Sequence, residues 1–192
     1  MTEARKRPAG PRKATAKYLE NKALHYLARF STSRENLRRI LMRAVLLSAR
    51  HHGTDREDGA RDVEALLDRF VGSGLIDDAV YAEGRVRSLR DRGLAGRNIR
   101  QRLRQKGIAP DVAKAALGGV DEQVAGDAEL AAATAFAQRR RLGPFRPEDA
   151  RAGQRDRDMA ILARAGFSFG IVRQVIEAHS PEMLAEKIAE PG

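Results

Sequence analysis

Hydrophobic side chains recur at steps of three and four residues along almost the whole chain, which is the spacing typical of amphipathic helices. No segment shows the sustained alternation of apolar and polar residues that is typical of a strand. The predicted helices carry, in chain order, Leu19 to Phe30, Leu37 to Val45, Val63 to Val71, Tyr81 to Leu89, Ile99 to Leu103, Val112 to Leu117, residues 122–141, Met159 to Leu162 and Ser168 to Ala178, with a last short one from Ser180. The pattern therefore predicts an all-α protein.

Local signals mark several helix ends in the first part of the chain. Thr32 and Glu35 have the spacing of a capping box, which begins a helix. Gly53 is placed to end that helix through a left-handed C-cap. Residues 53–60 are charged and flanked by glycine, and they predict a loop.

One segment of the chain occurs twice. The order Leu-x-x-x-Gly, followed by an apolar residue, three variable residues and then Val or Ile, spans residues 103–112 and returns at residues 162–171. Glycine at this place ends a helix with a left-handed residue and lets the next helix fold back. The first helix pair aligns with the second after a shift of 62 residues, except that Val45 stands where Gly107 is expected. A chance likeness between short amphipathic helices is the alternative.

Such a repeat predicts modules of about three helices, each of which packs on its neighbours because none buries its apolar face alone. The predicted divisions are a disordered basic arm over residues 1–14, helical repeats over 15–58, 59–119 and 120–179, and a C-terminal tail over 180–192. Modules that contact only their neighbours predict an elongated tandem array.

Composition excludes several kinds of chemistry. The chain has no cysteine, which excludes disulfides, thiolate metal sites and cysteine catalysis. It contains no G-x-x-x-x-G-K-[ST] loop for nucleotide phosphates and no apolar run near the roughly 18 residues of a membrane span. We therefore expect a cytoplasmic, non-enzymatic protein with no cofactor, no metal, no membrane contact and no small-molecule substrate.

Basic charge is concentrated in the first two thirds of the chain. The formal net charge is +10, whereas residues 121–192 hold ten Lys/Arg against twelve Asp/Glu. Residues 85–106 hold nine Lys/Arg against Asp91 alone. The candidate contact residues for DNA phosphate or an acidic partner are Arg85, Arg87, Arg90, Arg97, Arg100 and Arg104. The last three are predicted on the helix face opposite the apolar seam, where guanidinium groups would bind phosphate or carboxylate; a solvated helix face is the alternative.

Two further pairs admit a functional or a structural interpretation. Asp77 and Asp78 are adjacent carboxylates, which could hold a metal or act in acid–base chemistry. We favour a helix start, with Asp77 as the N-cap and Asp78 in the first turn, where negative charge suits the helix dipole. Phe167 and Phe169 could stack on nucleobases, but their position at a helix start favours packing.

A glycine, an apolar pair, two aspartates and an aromatic–alanine step follow one another in Gly74-Leu75-Ile76-Asp77-Asp78-x-x-Tyr81-Ala82. The pattern continues at Gly93, Leu103, Gly107, Gly166 and Phe167. Taken together, these residues resemble the RecX family, bacterial regulators of the RecA recombinase, over roughly residues 20–178. The missing glycine near Val45 and the mixed charge of residues 53–60 depart from the family pattern and leave the boundary of the first repeat open.

The resemblance implies an array of three-helix repeats that binds RecA and its nucleoprotein filament, restrains strand exchange, and restrains the RecA-stimulated proteolysis of the SOS repressor. We also expect contact with single- and double-stranded DNA with little sequence preference. The competing hypothesis is a basic helix-turn-helix transcriptional regulator, in which Ile99–Lys106 and Pro110–Leu117 would form the DNA-reading pair. Such a regulator would prefer one duplex sequence by about a thousandfold or more.

Overall fold

The computed structural model describes residues 10–118 and 122–189, and every regular element in those ranges is helical. The α-helices are α1 (Ala16–Leu27), α2 (Arg34–His52), α3 (Arg56–Gly72), α4 (Asp78–Asp91), α5 (Gly96–Gln105), α6 (Pro110–Ala116), α7 (Glu122–Arg140), α8 (Glu148–Arg164), α9 (Phe169–Ile176) and α10 (Pro181–Ala189). A 3₁₀ turn, Gly143–Phe145, lies between α7 and α8. The all-α prediction is confirmed. Residues 1–9 of the predicted basic arm lie outside the described residues.

The first compact unit of the chain ends at Asp78, and α1, α2 and α3 share its core. The fully buried side chains of this core include Leu19, Leu37, Leu41 and Leu67. Because Leu67 lies on α3, this helix completes the first repeat. The division predicted at residue 59 falls inside α3, and the compact unit extends to Asp78 instead.

The predicted loop over residues 53–60 is too long, because α3 already begins at Arg56. Asp55 is its N-cap, and the carboxylate accepts two backbone hydrogen bonds from the first turn. Gly59 lies one turn further on, where an added Cβ would come within 2.6 Å of a methyl carbon of Val45 on α2. This glycine has the composition of a loop but serves as a close contact between two helices.

The length of α2 explains why Val45 stands at a position where the repeat predicts a glycine. Val45 is buried inside α2, and the helix continues for about two further turns before Gly53 ends it with a left-handed φ of 63°. The predicted C-cap is therefore confirmed. The predicted capping box is wrong by one residue, because Ser33 rather than Thr32 is the N-cap and accepts a hydrogen bond from the backbone N–H of Asn36 (3.2 Å).

The second compact unit runs from Ala79 to Gly192 and contains two cores among its described residues. The core of α4, α5 and α6 buries Ala82, Val86, Leu89, Ile99 and Leu103. The core of α7, α8 and α9 buries Leu130, Leu162, Phe167 and Val175. Leu184 on α10 joins this last core, so the predicted tail over 180–192 contributes a packed helix.

Both copies of the internal repeat contain the same backbone turn. Gly107 follows α5 with a φ of 78°, and Gly166 follows α8 with a φ of 94°. In each copy the N–H after the glycine returns to the carbonyl of the buried leucine, as in a Schellman C-cap. The distances are 3.1 Å from Ile108 N to Leu103 O and 3.4 Å from Phe167 N to Leu162 O. The repeat predicted from the sequence is thus confirmed as a structural repeat.

Gly107→Val is expected to lower the free energy of unfolding by about 1–2 kcal/mol or more, because a β-branched residue is strained at positive φ. Urea denaturation followed by circular dichroism measures the change. The matched control is Gly153→Val inside α8, where an added Cβ meets nothing within 4 Å. That control should change the stability by less than about 0.5 kcal/mol. Equal effects of the two substitutions would contradict a left-handed cap at Gly107.

Candidate basic interaction surface

Three of the predicted contact residues lie together along one groove. Arg97, Arg100 and Arg104 are exposed on α5, while Ile99 and Leu103 on the opposite face are fully buried. The arginines line a groove of about 600 Å³ that is completed by the start of α6. The predicted geometry of this arginine stripe is confirmed, because the spacing of an α-helix places these residues on one face.

The three arginines of the stripe form no ion pair with any carboxylate of the described residues. The first unit shows the opposite arrangement. There Glu64 on α3 binds both Arg34 and Arg38 on α2. The hydrogen bond from Arg38, with that from Arg34, holds the pKa of Glu64 below its ordinary value. Arg34 and Arg38 are therefore compensated by a carboxylate, whereas the arginines of the stripe present their charge to solvent.

The other three predicted contact residues occupy different surroundings. Arg87 is exposed on α4, and Arg85 is half-buried beside Lys106 and Arg102. Arg90 is half-buried, and its Nη2 donates to the carbonyl oxygen of the α6 C-cap residue Leu117 (2.8 Å). Burial lowers the pKa of Arg90 from its ordinary value. Arg90 thus links α4 to the end of α6 and does not line the groove of the stripe.

Sequence reasoning missed two residues that hold α5 in place. Glu129 on α7 accepts the backbone N–H of Gly96 with both carboxylate oxygens, at 2.9 and 3.1 Å. Asn98 Nδ2 donates to the carbonyl oxygen of Ala165 at the end of α8 (2.9 Å). The sequence does contain a signal for a distant partner of α5, which is Ala95. An alanine at the N-cap has no side-chain acceptor for the first N–H groups of the helix. A helix start without a local cap predicts that an acceptor comes from elsewhere.

The adjacent aspartates belong to helix termini. α4 begins at Asp78, directly after Asp77, as predicted. The Asp78 carboxylate also accepts the backbone N–H of Arg34, the first residue of α2 (2.8 Å). The structure shows no cluster of potential metal ligands in the described residues. The Asp78 carboxylate therefore caps the start of α2, a role that the sequence did not predict, while the N-cap role of Asp77 stays a prediction.

The two phenylalanines at the Gly166 turn differ, because one lies in the core and the other at the surface. Phe167 is buried and packs edge-on against Phe136, with ring centroids 5.8 Å apart. Packing is thus confirmed for Phe167. Phe169 is 69% exposed, so the packing predicted for it is wrong. Tyr81 is half-buried beside the core of α4, α5 and α6.

These features define an all-α protein of three-helix modules whose second module exposes uncompensated arginines. Residues 77–117, which span α4 to α6, match the family model described as "RecX, second three-helix domain". None of the described helices is long and apolar enough to cross a membrane.

The similarity extends over most of the chain. A "Regulatory protein RecX" from Myxococcus xanthus (strain DK1622) is 42% identical, covering 90% of this chain and 91% of the relative. One from Agrobacterium fabrum (strain C58 / ATCC 33970) is 32% identical, covering 86% and 85%. The crystal structure of RecX from Lactobacillus salivarius shares the fold, with a TM-score of 0.60 at 20% identity over 85% of this chain and 96% of that one. The chain belongs to the RecX family of regulatory proteins.

Proposed function

We propose that this protein binds RecA and its nucleoprotein filament and restrains the recombinase and co-protease activities of the filament. The observation that carries the proposal is the groove lined by Arg97, Arg100 and Arg104, whose guanidinium groups are exposed and form no ion pair within the described residues. Membership of the RecX family supports the choice of partner.

The chemistry of the stripe suits a filament surface. A nucleoprotein filament presents DNA phosphates and acidic side chains, and guanidinium groups bind both through paired N–H donors. Arg85 and Arg87 extend the contact surface in this proposal, while Arg90 acts by holding the C-terminus of α6. A protein that acts by occupying such a surface needs no catalytic group.

Replacing Arg97, Arg100 and Arg104 together with glutamate should reduce inhibition of the RecA ATPase on single-stranded DNA by about tenfold or more. The substitution turns attraction into repulsion at each contact. The melting temperature should change little, because exposed charges each contribute under about 1 kcal/mol. Inhibition by the wild-type protein should also weaken as salt rises. ATPase rates and filament lengths, measured across salt concentrations, test both expectations.

The matched control replaces Arg29, Arg43 and Arg50 with glutamate. These residues are exposed in the first unit and form no ion pair within the described residues. The change in net charge is the same as in the α5 variant, because three arginines become glutamate in both. The control should retain most of the inhibition. If the α5 triple variant folds normally and inhibits as well as wild type at every salt concentration, the stripe is a solvated face and its assignment as the contact surface is wrong.

DNA-binding measurements identify what the stripe contacts. The triple variant should lose DNA affinity if the stripe binds phosphate, and should keep it if the stripe binds RecA carboxylates. Wild-type protein should show little preference among duplex sequences. A preference of about a thousandfold for one duplex, without any requirement for RecA, would instead favour the helix-turn-helix regulator.

A further inference from the structure

A second basic groove, of about 810 Å³, lies within the Ala79–Gly192 unit. Its lining comes from three segments of the chain, which are the turn after α4 with the start of α5, the C-terminal end of α7 and the C-terminal end of α8. Arg97, Arg100 and Arg104 line a different groove. The proposed function therefore does not use this site.

Four arginines surround this groove, namely Arg92, Arg139, Arg140 and Arg164. All four are exposed, and none forms an ion pair with a carboxylate of residues 10–118 or 122–189. The surface of α8 and α9 in the same unit behaves differently, because Glu177 there compensates both Arg155 and Arg173. The groove thus concentrates positive charge that the described residues leave uncompensated.

The lining of the groove is also apolar in part. Leu94, Phe136 and Ile161 are half-buried lining residues. The Arg140 guanidinium lies over the Phe136 ring, 4.9 Å from its centroid, and Phe167 packs against the same ring. A nucleobase needs a free ring face for stacking, and Arg140 already covers one face of Phe136. An apolar side chain needs only a partly buried hydrocarbon surface, which Leu94 and Ile161 supply.

Hydrogen bonds from side chains to backbone carbonyls hold the walls of the groove together. Arg139 donates to the carbonyl oxygen of Asp91 (3.3 Å) and to that of Arg92. Asn98 ties the start of α5 to the last turn of α8 through Ala165. These contacts are made by the protein itself, so a ligand would not have to order the site on binding.

We propose that this groove docks an acidic peptide segment that carries one apolar side chain. Carboxylates would pair with the guanidinium groups, and the apolar side chain would lie against Leu94 and Ile161. A phosphodiester backbone would satisfy the arginines but would leave the apolar lining unused. The combination of uncompensated arginines and exposed hydrocarbon is therefore better matched by a protein segment than by a nucleic acid.

Fluorescence anisotropy with a short fluorescein-labelled peptide, in which glutamates flank one phenylalanine, tests the proposal at physiological ionic strength. Wild-type protein should bind this peptide, and replacing the phenylalanine with glutamine should weaken binding about tenfold or more. Arg140→Glu combined with Arg164→Glu should weaken binding of the phenylalanine peptide to the same extent. Melting curves establish that the double variant is folded. Arg139 is left unchanged because it binds the backbone of the neighbouring turn.

The control variant combines Arg97→Glu with Arg104→Glu, which changes the charge equally in the other groove and should leave peptide affinity nearly unchanged. The assay contains neither RecA nor DNA, so its outcome is independent of the proposed function. Equal binding of the two peptides, equal loss in the two variants, or no binding would overturn the proposal. Displacement of the peptide by oligothymidylate at lower concentration than by unlabelled peptide would show a nucleic-acid site and would also overturn it.

Discussion

Asp158→Ala is expected to lower the free energy of unfolding by about 2–4 kcal/mol, because it removes the buried carboxylate of an ion pair whose arginine is only partly buried. The Asp158 side chain is only 1% exposed. Its carboxylate accepts hydrogen bonds from Arg146 Nε (2.7 Å), Arg146 Nη2 (2.8 Å) and the backbone N–H of Gly143 (2.9 Å). The substitution removes all three bonds and leaves a buried N–H without its acceptor. Urea denaturation followed by circular dichroism measures the loss.

The loss should depend on pH in a defined direction. Burial alone would raise the pKa of Asp158, but hydrogen bonds from Arg146 and from the N–H of Gly143 hold it below its ordinary value of 3.8. A carboxyl whose pKa is lower in the folded state stabilises the protein above its unfolded pKa, and this contribution disappears as pH falls through the folded value. The stability difference between wild type and Asp158→Ala should therefore be full near neutral pH and shrink below about pH 4.

Asp156→Ala in the same helix is the matched control. The Asp156 side chain is 95% exposed, and its ion pair with Arg155 lies at the surface. Such pairs contribute about 0–1 kcal/mol, so this substitution should have a small effect with little dependence on pH. If the two variants were equally stable, the bonds from Asp158 to Arg146 and to the backbone of Gly143 would not stabilise the turn before α8.

Gly93→Ala is the second substitution with a large expected effect, about 2–4 kcal/mol of lost stability. Gly93 has a left-handed φ of 65°, which strains any residue with a Cβ. An added Cβ would also lie 2.9 Å from the carbonyl oxygen of Ala132 and 3.0 Å from the backbone nitrogen of Phe136. Both atoms belong to the backbone of α7, which cannot rotate away as a side chain can. The turn after α4 would have to move from α7, and denaturation measurements would show the cost.

The control for Gly93 is Gly53→Ala, which separates backbone strain from collision. Gly53 has nearly the same conformation, with a φ of 63°, but an added Cβ there meets nothing within 4 Å. Its cost should be limited to about 1–2 kcal/mol of left-handed strain. A cost at Gly93 no greater than at Gly53 would mean that α7 does not approach this turn closely.

Features that depend on neighbouring residues in the sequence were predicted well. The seam of Ile99 and Leu103 is buried and the arginine stripe is exposed because the geometry of one helix decides both. The turns at Gly107 and Gly166 follow from the need for a residue that tolerates positive φ. The start of α3 was misplaced because its cap and Gly59 together have the composition of a loop, and only the packing of Gly59 against Val45 distinguishes the two.

The sequence by itself determined that the chain is helical, where its repeated turns lie, and which face of α5 exposes arginine, since these follow from periodicity over a few residues. Only the tertiary structure decided which partner each uncapped or charged group has. Glu129 caps α5 from 33 residues away, and Asp78 caps α2 from 44 residues away. It likewise decided that Arg90 is held inside its module and that Arg140 borders a second groove. Partners this distant meet because separate helices pack together, and the amphipathic pattern of a helix specifies only which of its faces packs.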